Sequence, residues 1–316
     1  MSDETRSLLR EVGVGGMIIH SGNVQSRSQL LALTRAMRRT VARPIFVAVT
    51  QEPGVVDHLA GIFPDLPSPP ELARREPLAS RKAGCTMGKQ LASVGIDVNF
   101  APVVDVVGQP GAYIGSRSYG SDPDVVAGHG AAFVRGLEQA GVFPVVKHFP
   151  GHGWVQQDSH AVLPVDPRPL WKLRQRDLVP FDAAFEAGAP GAMTAHILYR
   201  RIDPDLPSSL SSEISTGILR EELGFDGLVV TDSLGMGALS RWPMGLRAVK
   251  AIAAGADMVL LSSSPDAIPG IVGALRAALR TGKLSRERAK EALAHVQTAF
   301  EEVARLRSGT TACPGA

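Results

Sequence analysis

The stretch VFPVVKHFPGHGWVQQDSH, residues 142–160, decides the predicted fold. It begins with an apolar run, 142–147, and continues into a segment that carries Pro150, Gly151 and Gly153. A continuous apolar run of this length is typical of a strand buried on both faces of a parallel sheet. Proline and glycine then indicate a loop rather than a helix, so the polar residues of that loop follow the carboxyl end of a strand.

Six other apolar runs have the same form, and amphipathic stretches separate them; all seven are 16–20, 45–49, 98–104, 142–147, 192–196, 228–231 and 258–261. Alternation of strand and helix predicts an α/β fold with parallel strands, either a barrel or an open doubly wound sheet. Polar residues end nearly every run: His20, Thr50, Asp105, Lys147 with His148, His196, Asp232 and Ser262. A barrel brings all these ends to one mouth, whereas an open sheet uses only its switch point. We therefore predict a TIM-type (β/α)₈ barrel; with seven runs, either one segment is misread or the first strand is missing.

Three helices carry start or stop signals, which are Asp122 with Pro123 and Gly141, Ser211 with Gly224, and Ser285. Each start is a residue type that caps helices, and each glycine is a typical helix end. The predicted core-facing residues are Val126, Phe133, Val134 and Leu137, then Ile214, Ile218 and Leu219, then Leu293, Val296, Phe300 and Val303. The Pro-rich stretch 63–70 is interpreted as a loop over the barrel mouth.

Length and charge narrow the domain organisation and the partners. The chain has 316 residues, and we predict one barrel domain at 1–308 with a disordered tail at 309–316. Lys and Arg total 33 against 31 Asp and Glu, which gives no reason to expect nucleic acid or an acidic membrane surface as a partner. Cys85 and Cys313 are interpreted as free thiols. Residues 1–10 lack the apolar core of a signal peptide, and no window suits a membrane span.

The loop 147–160 has three interpretations. His148 and His152 with Asp158 and His160 could hold a metal, but Pro150 and Gly151 break the helix that a four-residue histidine spacing needs. The polar side chains could also only satisfy one another and the backbone. In the favoured interpretation Asp158 orients His160 for acid/base chemistry.

Asp232 follows the buried run 228–231, where a carboxylate points into the predicted mouth. It could act as a nucleophile or cap the next helix, and position alone favours neither. Arg117 and Lys147 are candidate substrate binders, and each could instead be a partner in an ion pair. Asp105 and His196 are also candidate substrate contacts. Asp105 could instead be a buried hydrogen-bond acceptor, and His196 could equally be a core histidine with satisfied bonds.

KHFPGHG followed by DSH resembles the signature of family 3 glycoside hydrolases, in the branch of bacterial β-N-acetylhexosaminidases. Other segments match in the expected order over about residues 8–265: GMIIHSGNV, NFAPVVDV, IGSRSYGSDP, AMTAHILY and LREELGFDGLVVTDSLGM. The resemblance implies a barrel that removes terminal β-linked N-acetylglucosamine with retention, without metal or organic cofactor. It implies Asp232 as the nucleophile, and His160 with Asp158 as the acid/base.

The same resemblance implies that Arg117, Lys147 and His148 bind the sugar, and that a small glycoside is the partner of a cytoplasmic enzyme. We predict a monomer or homodimer. The chain departs from the family pattern at residues 50–58, TQEPGVVDH, where Thr50 and His58 replace a sugar-binding Asp and Arg. A threonine cannot replace a carboxylate as a charged acceptor, so a specialised substrate is expected. Two alternatives stay open: a phosphorylase of the same family, and a non-catalytic sugar-binding protein on the same scaffold.

Overall fold

A computed structural model describes residues 3–41 and 43–315. The strands in these ranges are, in chain order, β1 (Gly16–Ile19), β2 (Phe46–Val49), β3 (Val98–Asn99), β4 (Phe143–Phe149), β5 (Val165–Asp166), β6 (Gly191–Thr194), β7 (Leu198–Tyr199), β8 (Leu228–Ser233) and β9 (Met258–Leu260). Each of the seven predicted runs forms a strand. These runs make one parallel sheet in the order β1-β2-β3-β4-β6-β8-β9, and β5 pairs with β7 beside it.

Helices connect the strands. Those in the described ranges are α1 (Asp3–Val12), α2 (Arg27–Thr40), α3 (Pro69–Leu72), α4 (Leu78–Ser93), α5 (Pro123–Gln139), α6 (Leu170–Arg174), α7 (Val179–Glu186), α8 (Met244–Ala254), α9 (Ile268–Thr281) and α10 (Arg286–Ser308), with a π-helical segment at Glu213–Glu222. The alternation of buried parallel strands and helices confirms the TIM-type fold. None of these helices has both the length and the apolar character that crossing a bilayer requires, for the part of the chain that is described.

The barrel is incomplete between β1 and β9. Each of these strands pairs on one side only within residues 3–41 and 43–315. The two edges nevertheless approach each other, since a Cβ on Gly15 would lie 2.8 Å from the Cε of Met258. Helix α1 contacts α2 and α9, and its Leu9 is buried in the main core. Within residues 3–41 and 43–315, the first strand is β1, and it follows α1.

The predicted helix boundaries hold closely. The Asp122 carboxylate accepts a bond from the Asp124 amide at 2.9 Å, and Ser285 Oγ accepts one from the Arg288 amide at 3.0 Å. The helix expected from Ser211 begins two residues later, at Glu213. Leu293 was assigned wrongly to the core, because its side chain is 69% exposed. The buried side of α10 passes through Ala292, Ala299, Val303 and Leu306, so Leu293 lies one position away from it.

The two cysteines form a disulfide, so their assignment as free thiols is wrong. They are separated by 228 residues, but the segment after α10 returns to α4 and α5. There the Thr311 amide donates to the Gln139 carbonyl at 3.0 Å. The pairing depends on this tertiary proximity, which neither cysteine's local sequence indicates. The domain boundary at residue 308 stays a prediction.

Candidate active site

The polar strand ends predicted from sequence meet at the carboxyl-end mouth of the sheet. Asp105 follows β3, while Lys147 and His148 lie in β4. His196 follows β6 by two residues, and Asp232 is the second-last residue of β8. All of these residues except Asp232 are buried.

Asp232 is partly exposed, and its Oδ1 accepts a bond from the Ser233 amide at 2.7 Å. The next helical turn starts after Met236, so Asp232 does not cap it. Burial raises the pKa of this carboxyl, but interactions that include the Ser233 amide and the Lys147 ammonium lower it below its usual value. Asp232 is therefore an ionised carboxylate at neutral pH with one oxygen free of the Ser233 bond.

Asp158 and His160 form a hydrogen-bonded pair in the loop after β4. The Asp158 Oδ1 lies 2.8 Å from both the amide and the Nδ1 of His160. Burial raises the pKa of Asp158, but its bonds to His160 outweigh this effect and hold the pKa below its usual value. The carboxylate is therefore ionised, and Nδ1 of His160 carries the proton. The His160 side chain is 61% exposed, which makes its Nε2 accessible to a substrate in the mouth.

Two backbone hydrogen bonds attach this pair to the end of β8. The Gly237 amide donates to the His160 carbonyl at 2.8 Å, and the Ala238 amide donates to the Ser159 carbonyl at 3.1 Å. Gly237 is only five residues after Asp232 along the chain. The structure thus brings the His160 loop and the Asp232 strand to the same side of the mouth.

Asp105 is a fully buried acceptor that fixes two histidines. Its oxygens accept from His148 Nδ1 at 2.7 Å, from the His148 amide at 3.2 Å and from the His152 amide at 2.6 Å. Burial lowers the pKa of His148 well below its usual value, with Arg117 and Lys147 adding to the effect, so this ring is neutral. The interpretation of Asp105 as a buried acceptor fits this geometry, and Asp105 supports the site from below.

His196 is likewise fully buried and has both ring nitrogens within bonding distance of a partner. Its Nδ1 lies 2.7 Å from Ser209 Oγ, and its Nε2 lies 3.0 Å from the Ser233 carbonyl oxygen. A donated bond to that carbonyl places the proton on Nε2. His196 therefore orients the backbone beside Asp232 through its own bonds.

Glu52 joins Arg117 to Lys147, and sequence reasoning missed it. Its carboxylate accepts from Arg117 Nε at 2.8 Å and Nη2 at 2.7 Å, and from Lys147 Nζ at 2.7 Å. Burial raises the pKa of Glu52, but the two cations lower it to about 2. The signal was available in TQEPG, where an acid follows the end of a buried strand by three residues. The interpretation of Arg117 and Lys147 as ion-pair partners fits this geometry, and their role as substrate binders stays a prediction.

The departures at residues 50–58 lie next to this triad. Thr50 directly follows β2, and the His58 ring meets the His20 ring edge-on with centroids 5.0 Å apart. Burial lowers the pKa of His58, as do His20 and Lys147 nearby. A threonine and neutral imidazoles therefore border the mouth where the resemblance implies an aspartate and an arginine.

The Pro-rich segment walls a cavity of about 210 Å³ beside Glu52. Phe63, Leu66, Ser68 and Gln51 are among the residues that line it. The placement agrees with its interpretation as a loop near the mouth. Within residues 3–41 and 43–315, no group of three His, Cys, Asp or Glu side chains has a metal-binding arrangement.

Comparison with known proteins finds relatives in one family. The model of the glycosyl hydrolase family 3 N terminal domain matches residues 1–299. A curated "Beta-hexosaminidase" of Alkalilimnicola ehrlichii is 42% identical over 280 residues, 86% of this chain and 80% of that protein. Another of Nitrosomonas eutropha is 33% identical over 98% of this chain and 92% of that protein.

Solved structures show the same likeness. A family 3 β-N-acetylglucosaminidase from Paenibacillus superposes with a TM-score of 0.93 at 36% identity, and the match covers all of this chain but 61% of that one. NagZ from Neisseria gonorrhoeae, solved with N-trifluoroacetyl-D-glucosamine, has a TM-score of 0.80 at 30% identity over 97% of this chain and 95% of that one. The chain belongs to glycosyl hydrolase family 3, among its β-hexosaminidases.

Proposed function

We propose that this chain removes terminal β-linked N-acetylglucosamine with retention of configuration, through a covalent bond to Asp232. The observation that carries the proposal is the pair of backbone bonds between 237–238 and 159–160, because they attach the loop of the His–Asp pair to the segment that follows Asp232. A retaining glycosidase needs a nucleophile and an acid/base group on either side of one bond. The names of the relatives support the sugar class.

The reaction has two steps. In the first, protonated His160 gives its Nε2 proton to the departing oxygen while an Asp232 oxygen attacks the anomeric carbon. In the second, neutral His160 takes a proton from water, the water attacks the same carbon and Asp232 leaves as a carboxylate. Asp158 accepts the Nδ1–H bond throughout, which stabilises the imidazolium form.

The buried triad supplies sugar contacts. Glu52 uses Nε and Nη2 of Arg117 and one direction of Lys147 Nζ. Among the described residues, these are the bonds that Arg117 and Lys147 make to Glu52. Arg117 Nη1 and the other protons of Lys147 are therefore available to sugar hydroxyls. We propose that Arg117, Lys147 and His148 hold the sugar, with Glu52 and Asp105 fixing their orientation.

The direct test is the anomer released first. With an aryl β-N-acetylglucosaminide, proton NMR should show the β-anomer of N-acetylglucosamine before mutarotation. Asp232→Ala should lose nearly all turnover, whereas the exposed Asp226→Ala should not. First appearance of the α-anomer, or full activity in Asp232→Ala, contradicts the proposal.

We propose that the substrate is a specialised glycoside, because Thr50 and His58 alter the sugar subsite. A lost charged hydrogen bond costs about 1.5–3 kcal/mol. Thr50→Asp should therefore raise kcat/KM on simple N-acetylglucosaminides by about tenfold or more. No gain in that variant, with its fold intact by circular dichroism, counts against a specialised subsite.

The cytoplasmic location and a monomeric or homodimeric state stay predictions. The Cys85–Cys313 bridge bears on the location, because cytosolic thiols are normally kept reduced. Thiol alkylation and mass spectrometry of the protein from its native cells would show which state prevails.

A further inference from the structure

Tyr113 is a partly exposed aromatic residue beside the His–Asp pair. Its ring centroid lies 6.3 Å from that of His160 and 5.7 Å from that of His152. Its hydroxyl oxygen lies 3.5 Å from His160 Nδ1. This hydroxyl is therefore close to the atoms that set the protonation of His160.

The proton positions decide what the hydroxyl can do. His160 Nδ1 donates to Asp158, so it has no lone pair to accept a second bond. Burial and the Asp158 carboxylate raise the pKa of Tyr113, so its hydroxyl keeps its proton. The acceptor available to that proton is the Asp158 carboxylate, which interacts with Tyr113 and is ionised.

Backbone contacts fix Tyr113 relative to the His160 loop. The Tyr113 amide donates to the Val155 carbonyl at 2.9 Å, and the Gly108 amide donates to the Gly153 carbonyl at 2.7 Å. Gln156 Nε2 donates to the Pro110 carbonyl at 2.8 Å. The segment with Tyr113 thus runs along the loop, and the Tyr113 backbone is bonded to it.

We propose that Tyr113 is a positioning residue for the acid/base pair: its hydroxyl donates to Asp158, which fixes the carboxylate and reduces its basicity toward His160. The proposal deepens the proposed function and rests on it. The expected consequence is a stronger acid at His160 Nε2, aimed at the departing oxygen. Such an effect should matter most for substrates whose aglycone needs protonation.

Tyr113→Phe removes the hydroxyl and keeps the ring. We expect kcat/KM to fall about tenfold for an alkyl or methylumbelliferyl N-acetylglucosaminide, and to change little for the 2,4-dinitrophenyl glycoside, which leaves without a proton. Without the bond, Asp158 stabilises the imidazolium more strongly, so the alkaline limb of kcat/KM should move to higher pH. A merely structural role would lower kcat/KM equally for both substrates and leave the alkaline limb at the same pH.

Tyr119→Phe is the matched control, since it removes a buried tyrosine hydroxyl that interacts with Ser80. It should leave the leaving-group dependence and the pH profile as in the wild type. An unmoved limb, or equal losses on both substrates in Tyr113→Phe, overturns the proposal for Tyr113. Activity retained in Asp232→Ala or Asp158→Asn would instead overturn the proposed function, so the two failures are distinguishable.

Discussion

At the scale of single residues, the proposed site contains buried charges that form ion pairs with one another. Glu52, Arg117 and Lys147 are all largely buried, and each would be costly to bury alone. Together they present two cations at the mouth with little freedom to rotate. If Arg117 and Lys147 bind the sugar as proposed, its recognition depends on a carboxylate that need not touch it.

Glu52→Gln should destabilise the fold by about 3–5 kcal/mol at neutral pH, because it leaves two buried cations without a charged partner. It should also raise KM, as Arg117 and Lys147 lose their fixed positions. Urea unfolding and steady-state kinetics measure the two effects. Wild-type stability in the variant contradicts the role assigned to the triad.

The pH dependence of stability has a definite sign for Glu52. Its pKa falls from 4.5 to about 2 on folding, so its contribution is present above pH 4.5 and is lost as the pH falls toward 2. The shift corresponds to about 3 kcal/mol. The difference in unfolding free energy between wild type and Glu52→Gln should therefore shrink across this window. A difference that stays constant between these pH values contradicts the shift.

At the scale of elements, sequence predicted what local pattern determines. Buried parallel strands are apolar throughout, so the seven runs were visible, and Asp122 and Ser285 identified helix starts. The prediction for Leu293 is wrong because its spacing fits the apolar side of α10, whereas the residue buried there is its neighbour Ala292. Asp158, His160 and Asp232 could be selected from their positions after strands, and the family resemblance supplied their roles.

Contacts between residues far apart in the sequence could not be predicted from local sequence patterns. Glu52 was overlooked because its partners lie 65 and 95 residues away along the chain. The bonds from 237–238 to 159–160 depend on how two loops fold over the same mouth. Hydrophobic periodicity contains no information on either.

Gly237→Ala tests the attachment of the two loops. An added Cβ would collide with the Ala161 carbonyl oxygen and lie 2.7 Å from the His160 carbonyl oxygen. The loop carrying His160 must then shift, and a displacement of about 1 Å can reduce turnover by about 100-fold. Gly273→Ala in α9 is the control, because its Cβ would meet nothing within 4 Å. Equal activity of the two variants in an aryl glycoside assay contradicts the proposed loop geometry.

At the scale of the whole molecule, the chain is an incomplete barrel secured across its surface by a covalent bridge. The bridge links α4 to the segment after α10, on the outer helices rather than at the mouth. We expect reduction to lower the unfolding free energy by about 2–4 kcal/mol and to leave kcat nearly unchanged. Urea unfolding with and without reductant measures this, and Cys313→Ser should show no response to reductant. A large loss of kcat on reduction would show that the bridge supports the site.

The central claim is that Asp232 forms the covalent bond to the sugar while His160 moves the proton. The most direct measurement is trapping with a 5-fluoro N-acetylglucosaminyl fluoride, followed by peptide mapping by mass spectrometry. The account predicts a stoichiometric label on the peptide containing Asp232, and none in Asp232→Ala. A label on another carboxylate, or turnover of the natural glycoside without any covalent intermediate, would contradict it.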